Sequence, residues 1–561
     1  MTNATTGSER VVPGPPPAGQ RDLLLARLIR PAVTHWQFSL VVLAAIVVRI
    51  VVILGYPPIL WFNDSYNYLY DAITHIPDEV RPNGYPFLLE LLLPLHSDYL
   101  IALLQAAMGA CVGIAIYAVL RHRGLPWWGA ATPALPVLFD SYELHIEHMI
   151  TADPLFIFLV TIAVVILCWS DRPSVLAMAV AGLFIGYAAL VRSVGEPLLV
   201  VALVAMLVRR VGWRRLGTLA IAGIVPIGAY ALWFHGSSGQ YALTESSGPF
   251  LYSRVSTFAQ CSKMNVPADL QFLCDPTKPQ YRPVAGEYIW ADNELPPYHS
   301  TFTPLYKKLK NDTAKRFMPA INAQTKKFAE LAIEAQPMAY ARAVIDDTLH
   351  TFGWTRQPDP YNYYGNGPTF QFVSGTQMAA QVPWYATPHE LPGAPPHHSC
   401  GARCQKGDPQ ARLIQAAERD FGGQGLGFTR AVAPWQHLLE VYQRYVYLRG
   451  TLLGVIVLIG AAGLVARWRR WGGTGLLPWL VGALLIVVPP MTAGFSYRYV
   501  LAAAPVACLA AGLAFTREPG GNPRRSVLAR GDDPPKPPRS VRALAADLRR
   551  NLSRGGTVDQ E

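Results

Sequence analysis

The chain has 561 residues, of which 51% are hydrophobic and only 15% are charged. Soluble domains average about 25% charged residues, so the composition excludes an ordinary soluble protein and indicates a polytopic membrane protein. The net charge of +11 would suit nucleic acid, but the basic residues fall in short runs between apolar segments, which indicates membrane topology and no nucleic-acid partner.

An α-helical polytopic fold with about ten transmembrane helices is predicted. Residues 1–36 should form a disordered cytoplasmic tail, 37–234 a transmembrane module, 235–443 an extracytoplasmic α+β or irregular region, 444–515 the last three spans, and 516–561 a disordered basic tail. The predicted spans are 38–57, 99–119, 126–139, 154–169, 174–191, 197–208, 216–234, 446–466, 475–491 and 499–515.

Charge and cysteine placement both favour a cytoplasmic N-terminus. With ten crossings, the basic clusters at 121–123, 209–215, 467–470 and 523–525 all fall on the cytoplasmic side. The large polar region then lies outside, and its four cysteines predict disulfides. Short separation favours pairing Cys261 with Cys274 and Cys400 with Cys404, although the crossed pairings stay open. A zinc site with neighbouring histidines is the alternative for the second pair.

A stretch rich in acidic and aromatic residues follows the first span. Asp64, Tyr68 and Asp71 lie at i, i+4 and i+7, so a helix would place them on one face. A carboxylate this close to a span is costly to keep unless it is solvated or used. Such a face suits a polar, ring-shaped substrate delivered by the membrane. A helix cap is the alternative role for Asp64.

Three further charged residues are expected at the same membrane face. Arg192 and Arg498 stand at the outer ends of spans, where the insertion rule disfavours positive charge. They can pair with carboxylates or bind an anion such as a lipid phosphate. Asp153 opens the fourth span, and helix capping, with Pro154 at the first helical position, is the alternative for it.

A polar cluster in the loop at 140–153 raises the question of a divalent metal ion. Glu143 and Glu147, like His145 and His148, have the spacing of neighbours on a helix. The two pairs point in different directions, so a solvated loop helix is the preferred interpretation. A metal site of Glu143, Glu147 and His148 is the alternative, and no other cofactor is predicted.

Several motifs resemble the GT-C superfamily of membrane glycosyltransferases. The resemblance is to the branch of protein O-mannosyltransferases and the lipid A aminoarabinose transferase. It rests on Asp-Ser-x-x-Tyr at 64–68, Arg-Pro-x-Gly-Tyr-Pro at 81–86, Asp-Pro-Leu-Phe at 153–156, the Gly-rich span 182–192, and Tyr-Arg-Tyr at 497–499 followed by Pro505. It covers about 38–235 and 446–515. Ala152 departs from the family pattern, because an acidic residue is common there.

The resemblance implies transfer of a hexosyl or pentosyl group at the outer face of the cell membrane. The donor would be a polyprenyl-phosphate sugar, and the acceptor a hydroxyl of an envelope glycan, lipid or protein, with inversion at the anomeric carbon. Asp64 would be the base and Asp153 a second catalytic carboxylate. The expected substrate-binding residues are Tyr68, Asp71, Tyr85, Glu147, Arg192, Arg498 and Tyr499. The alternative is a transporter or flippase of a lipid-linked or anionic solute.

Overall fold

The computed structural model describes residues 33–290, 304, 317–355, 371–374, 429–470 and 473–516. The chain divides into two units, Ala45–Ala529 and a second one formed by Met1–Ala44 with Arg530–Glu561. Of the second unit only 33–44 are described, and all side-chain contacts below belong to the first. Most of the predicted tails and the cysteines at 400 and 404 lie outside the described residues.

Helices make up the secondary structure of the described residues, which contain no strand. One isolated parallel bridge joins Leu60 to Met149. The described part of 235–443 is helical or irregular, so the α+β alternative for this region is not confirmed.

The described residues contain four helices long and apolar enough to cross a membrane: Trp36–Gly55, Asp98–His122, Trp213–Ser238 and Gly473–Thr492. Trp435–Tyr445 and Gly450–Ala466 meet the same criterion only as a pair, with a bend of 53° between them. Shorter apolar helices of 10–17 residues are Gly84–Leu95, Asp153–Trp169, Val175–Val191, Ser193–Val208 and Tyr497–Leu513. The fold agrees with a helical membrane protein, while the count of ten full-length spans is not confirmed.

The third predicted span is short and interrupted. It consists of the helices Trp127–Ala131 and Leu135–Phe139, joined by a 3₁₀ turn over Thr132–Ala134. Pro133 and Pro136 lie within it, and proline removes a backbone donor and crowds the preceding turn. At 1.5 Å per residue the segment covers about 20 Å, less than a hydrocarbon core of about 30 Å.

Arginines from three of the predicted cytoplasmic clusters bind helix ends. Arg123 donates to the Cys168 carbonyl at 2.6 and 2.9 Å, and Arg209 donates to the Leu167 carbonyl at 2.8 Å. Arg467 donates to the Ala514 and Thr516 carbonyls at 2.9 Å. These carbonyls have no partner within their own helix, so the cations satisfy them and interact favourably with the helix dipoles.

Small residues bring two helices of the transmembrane module into close contact. A Cβ added to Gly182 would lie 2.6 Å from the Leu219 carbonyl oxygen, and one added to Gly186 would lie 2.3 Å from that of Gly223. Only glycine allows the backbones of Val175–Val191 and Trp213–Ser238 to approach this closely. This packing fixes the end of Val175–Val191, where Arg192 follows.

Outside these helices, part of 235–443 forms a small helical layer. The helices Ser247–Ser256 and Pro319–Ala335 pack around Tyr252 and Phe328. The predicted disulfide between Cys261 and Cys274 is present and closes a loop beside this core. The next helix, Pro337–His350, touches the transmembrane part, because the Tyr340 hydroxyl donates to the Met491 carbonyl at 3.0 Å.

Candidate active site

Arg498 joins two carboxylates that are distant in sequence. Its Nη1 donates to Asp64 Oδ2 at 2.6 Å, and its Nε donates to Asp153 Oδ2 at 2.5 Å. Its Nη2 donates to the Thr151 hydroxyl at 3.1 Å. Arg498 and Asp153 are 8% and 1% exposed, so these charges interact largely out of water.

Asp153 also binds Arg192. Its Oδ1 forms an ion pair with Arg192 Nη1, and its Oδ2 accepts a hydrogen bond from the Thr151 hydroxyl. Asp153 is the first residue of the helix Asp153–Trp169, and Ala152 at the cap position makes no side-chain cap bond. The carboxylate of Asp153 therefore serves the arginines, in contrast to the capping alternative.

Asp64 is bound by two guanidinium groups. Arg81 Nη2 donates to its Oδ1 at 2.6 Å, opposite the bond from Arg498. Arg81 also contacts Asp78 at 3.4 Å. Burial alone would raise the pKa of Asp64, but Arg81 and Arg498 outweigh it and hold the pKa of that carboxyl well below its usual range. Asp64, Arg81, Asp153, Arg192 and Arg498 are called the arginine–carboxylate cluster below.

Helix capping near Asp64 is performed by another residue. The helix Asn63–Thr74 begins after Phe62, whose backbone N–H donates to the Ser65 hydroxyl at 2.9 Å. The Ser65 hydroxyl in turn donates to the Ile150 carbonyl at 2.6 Å. Ser65 therefore ties the start of this helix to the segment that carries Thr151 and Asp153.

Aromatic rings lie against the guanidinium groups of the cluster. Arg192 stands over the Tyr499 ring, with its Cζ 5.0 Å from the ring centroid, and Arg498 stands 5.2 Å over the Phe62 ring. A ring face attracts a cation and leaves the guanidinium edge free to bind oxygen atoms. This arrangement places Tyr499 at the cluster, and its role in substrate binding stays a prediction.

Tyr68 and Tyr85 form the buried wall behind the acidic helix face. Their rings meet edge to face, with centroids 5.1 Å apart. The Tyr85 hydroxyl donates to Gln105 Oε1 at 2.7 Å, and Gln105 Nε2 donates to the Glu147 and Met149 carbonyls at 2.9 and 2.8 Å. Tyr85 thus supports the segment before Asp153 and has no exposed surface of its own.

Asp71, on the same helix face, has a different environment from Asp64. It is buried, and its Oδ2 has no hydrogen-bond partner among the described residues. Burial raises the pKa of Asp71 to about 9, with Asp78 adding to the shift and Arg81 opposing it. Burial thus favours the protonated form of Asp71, which can donate a hydrogen bond, whereas the two guanidinium groups favour the anion of Asp64.

Glu147 makes its carboxylate contacts with Arg49 and not with the cluster, and its predicted substrate contact stays a prediction. Arg49 Nε and Nη2 donate to its two oxygens at 2.7 Å each, and Arg49 Nη1 donates to the Leu138 carbonyl at 3.0 Å. A Cβ on Gly109 would lie 1.7 Å from Glu147 Oε1, so the pair occupies a site that only glycine leaves open. The single charge in the first apolar run is thus neutralised internally.

The metal hypothesis for the 140–153 loop does not fit the structure. No three His, Cys, Asp or Glu residues of the described ranges come together as a metal site. Glu147 belongs to Arg49, and His148 Nε2 donates to the Tyr56 carbonyl at 2.8 Å, so neither is oriented toward a shared ion. The solvated loop helix is also wrong, because every residue of Ser141–Glu147 is buried.

Two residues of the site were not predicted from the sequence. The sequence predicts no role for Arg81, which stands in the motif at 81–86, or for Thr151, which lies two residues before Asp153. A signal existed for Arg81, since a cation in an outer loop is unexpected unless an anion accompanies it.

Comparisons with known proteins give little further information. No protein-family model and no curated protein matches the chain. The chain is similar to a solved S. cerevisiae protein O-mannosyltransferase complex bound to the sugar donor, with 17% identity and a TM-score of 0.29. The match covers 39% of this chain and 36% of that chain, about a third of its length. A similarity this weak carries no argument about fold or activity.

Proposed function

We propose that this protein is a membrane glycosyltransferase that moves a sugar from a polyprenyl-phosphate donor to an acceptor hydroxyl. The observation that carries the proposal is Arg498, which binds Asp64 and Asp153 together, with Arg192 on the other oxygen of Asp153. The reaction needs a carboxylate to accept a proton and cations to hold a phosphate. The cluster offers both within one hydrogen-bonded chain, and the motif resemblance supports the same class.

In the proposed reaction, Asp64 accepts the proton of the acceptor hydroxyl. The hydroxyl oxygen forms a bond to the anomeric carbon while the bond from that carbon to the donor phosphate oxygen breaks. The electron pair leaves with the lipid phosphate, whose growing charge Arg192 and Arg498 stabilise. A single displacement at one carbon inverts its configuration.

The two arginines on Asp64 suggest how donor binding prepares the base. A carboxylate with a strongly lowered pKa is a weak base, and general bases work best with a pKa near the working pH. A donor phosphodiester can take Arg498 away from Asp64, because its two non-ester oxygens offer the guanidinium a two-pronged contact. Asp64 then keeps only Arg81, and its pKa rises. Donor binding would precede acceptor activation in this scheme.

The remaining residues of the site have roles that follow from their chemistry. Asp153 would hold Arg192 and Arg498 in place before the donor arrives. Tyr499 would keep the Arg192 guanidinium flat for a two-pronged contact with phosphate. Tyr68 and the protonated Asp71 would contact sugar hydroxyls, with Asp71 as a donor.

We propose that the site lies on the extracytoplasmic side and that the chain crosses the membrane ten times. The cluster lies at the ends of apolar helices, whereas the basic clusters of 121–123, 209–215 and 467–470 follow other helix ends. The excess of Arg near those ends favours the cytoplasm for them. The shorter apolar helices would cross within the bundle, where packing replaces part of the lipid contact.

Transport of a lipid-linked or anionic solute is the other class to be tested. Transporters commonly hold charged residues near the middle of the membrane on interrupted helices. Here Asp153 and Arg498 stand in the first turn of their helices. Arg49 lies further from the end of its helix, but its guanidinium already binds both carboxylate oxygens of Glu147. These positions favour an enzyme.

A transfer assay with purified protein in nanodiscs tests the proposal. The donors would be undecaprenyl-phosphate mannose, glucose and arabinose, supplied together with an envelope extract as the source of acceptor. Release of undecaprenyl phosphate would be measured. Asp64→Asn should abolish release, whereas Asp171→Asn should not. Asp171 is a matched control, because it also binds an arginine at 2.6 Å but lies near the basic clusters. Translocation of a labelled lipid without sugar release, or equal release by both variants, would contradict the proposal.

A further inference from the structure

The helix Trp435–Tyr445 has three distinct sides. One side is buried against the protein through Gln436 and Leu439. A second side is exposed and polar, with His437 and Arg444. The third side is exposed and apolar, and we call it the apolar row: Trp435, Leu438, Val441 and Tyr445 are 37%, 53%, 51% and 75% exposed. These four residues recur every third or fourth position, so they form one continuous stripe.

The protein-facing side of this helix lies where the first apolar helix ends. A Cβ on Gly55, the last residue of Trp36–Gly55, would lie 2.8 Å from the Leu439 side chain and 3.5 Å from the Gln436 nitrogen. The chain before the helix is bonded there as well, since Val432 N–H donates to the Gly55 carbonyl at 2.9 Å. A 20-residue apolar helix ends at the surface of a bilayer, so Trp435–Tyr445 lies at that depth.

The following helix gives a second measure of depth. Gly450–Ala466 begins a few residues after Tyr445, and the two axes differ by 53°. Gly450–Ala466 exposes Leu452, Val455, Leu458 and Val465, which suit contact with lipid tails. The sharp bend at the start of a lipid-facing helix is the geometry expected where a chain leaves the bilayer and runs along its surface.

We infer that Trp435–Tyr445 is an interfacial helix whose apolar row binds the lipid bilayer. Trp and Tyr at its ends suit the headgroup level, where a ring can be half in lipid and half in water. His437 and Arg444 flank the row and would face the headgroups and water. A deeper position, as the first half of a broken span, would put the Arg444 guanidinium into hydrocarbon, where a charge is strongly disfavoured.

The inferred membrane contact has a structural consequence beside the site. The Gln443 side chain of this helix forms two hydrogen bonds with the backbone of Phe372. It accepts one from the Phe372 N–H at 2.7 Å and donates the other to the Phe372 carbonyl at 2.6 Å. The Tyr442 hydroxyl donates to the Phe139 carbonyl at 2.6 Å, next to the 140–153 loop. A helix fixed to the lipid surface would therefore fix the segment 371–374 at the same level.

Quenching of Trp435 fluorescence by brominated lipid tests this inference without any assay of activity. The full chain would be placed in phosphatidylcholine–phosphatidylglycerol nanodiscs with bromines near the headgroup or near the chain end. The difference between parent and Trp435→Phe isolates the Trp435 signal. We expect headgroup-proximal bromines to quench it about twofold more than deep ones, since interfacial helices sit only about 5–10 Å into the boundary. Trp213→Phe, the same substitution at an exposed tryptophan outside this helix, is the control for the subtraction.

A matched pair of neighbouring substitutions gives a second readout. Leu438→Glu puts a charge on the apolar row and should reduce the shallow quenching, whereas His437→Glu, one residue away on the polar side, should leave it unchanged. Stronger quenching by deep bromines would show a broken span and overturn the inference. Full access of aqueous iodide without lipid quenching, or protection from both agents, would overturn it too, since Trp435 would then face water or another protein.

Discussion

Arg498 and Asp64 are 434 positions apart in the chain, yet their side chains are joined by a hydrogen bond of 2.6 Å. Asp64 follows the first apolar helix and Arg498 opens the last one. Their contact therefore closes the bundle at this end. The same guanidinium binds Asp153, so one side chain connects three separate parts of the chain.

Asp64→Asn should abolish sugar transfer and also lower the free energy of unfolding. The amide cannot accept the acceptor proton, and it removes one of the two anions bound by Arg81 and one of the two bound by Arg498; breaking a buried pair costs up to about 3–5 kcal/mol. Transfer rate and thermal unfolding would be measured on one preparation. A folded variant that retains transfer within about threefold of parent, about 0.6 kcal/mol on the barrier, would remove Asp64 from the role of base.

Arg498→Lys should also fail in transfer. The guanidinium uses Nε, Nη1 and Nη2 for three different oxygens, and a lysine ammonium cannot reproduce that fork. We expect a loss of about 2–4 kcal/mol of transition-state stabilisation, roughly 30-fold to 1000-fold in rate. A destabilised but fully active lysine variant would show that Arg498 holds the fold and not the donor.

Gly109→Ala should destabilise the protein by displacing the Arg49–Glu147 pair. The new methyl group would overlap Glu147 Oε1 in a buried site. Gly217→Ala is the matched control, because a Cβ at Gly217 meets nothing within 4 Å. Thermal unfolding in detergent should show a lower melting temperature for the first variant only. The double variant Gly109→Ala/Glu147→Ala should be no less stable than Glu147→Ala, and additive losses would argue against the clash.

Acid should destabilise the protein through two buried histidines. Burial lowers the pKa of His148 to about 4, and burial together with His148 lowers the pKa of His145 to about 3. The unfolded chain binds protons near pH 6.5, so the folded state binds fewer below that value, and stability falls as the pH drops from about 6.5 to 4. His148→Gln keeps a donor for the Tyr56 carbonyl and should lose about 2 kcal/mol less between pH 7 and 4.5. Equal slopes for parent and variant would refute the assignment.

Removal of the disulfide between Cys261 and Cys274 should loosen the outer helical layer. Closing a loop of 13 residues' separation contributes about 3 kcal/mol by constraining the unfolded chain. Cys261→Ser/Cys274→Ser should make the Tyr252–Phe328 core exchange amide hydrogens faster, whereas Cys111→Ser should not. Mass spectrometry without reductant would find one bridge in the parent, and two alkylated thiols there would contradict the pairing.

Three charged residues of the cluster could be predicted because each breaks a local rule. Asp64, Arg192 and Arg498 are charges at the ends of apolar runs, and an even alternation of crossings brings such ends to one face. Their roles in transfer stay predictions. The contacts among their side chains could not be predicted, because residue spacing within one helix gives no information on contacts between residues that are hundreds of positions apart.

The prediction of a solvated helix in the 140–153 loop was wrong because the loop is buried. The composition around His145 and His148 indicates a solvated helix, but every residue of Ser141–Glu147 is buried, and the Phe372 ring packs against the His145 ring. The Arg49–Glu147 pair was predictable only in part. A charge inside an apolar run implies a partner, but the sequence does not say which carboxylate it is.

None of the five residues of the arginine–carboxylate cluster lies within residues 235–443. The described parts of that region attach to the helices through contacts such as Thr429 to the Ile59 carbonyl, Tyr340 to that of Met491, and Tyr442 to that of Phe139. The cluster and this region therefore belong to different segments of the chain. Under the proposed function, a graft that replaces 235–443 and keeps these attachments would supply a different acceptor surface and leave the five charged residues of the cluster unchanged.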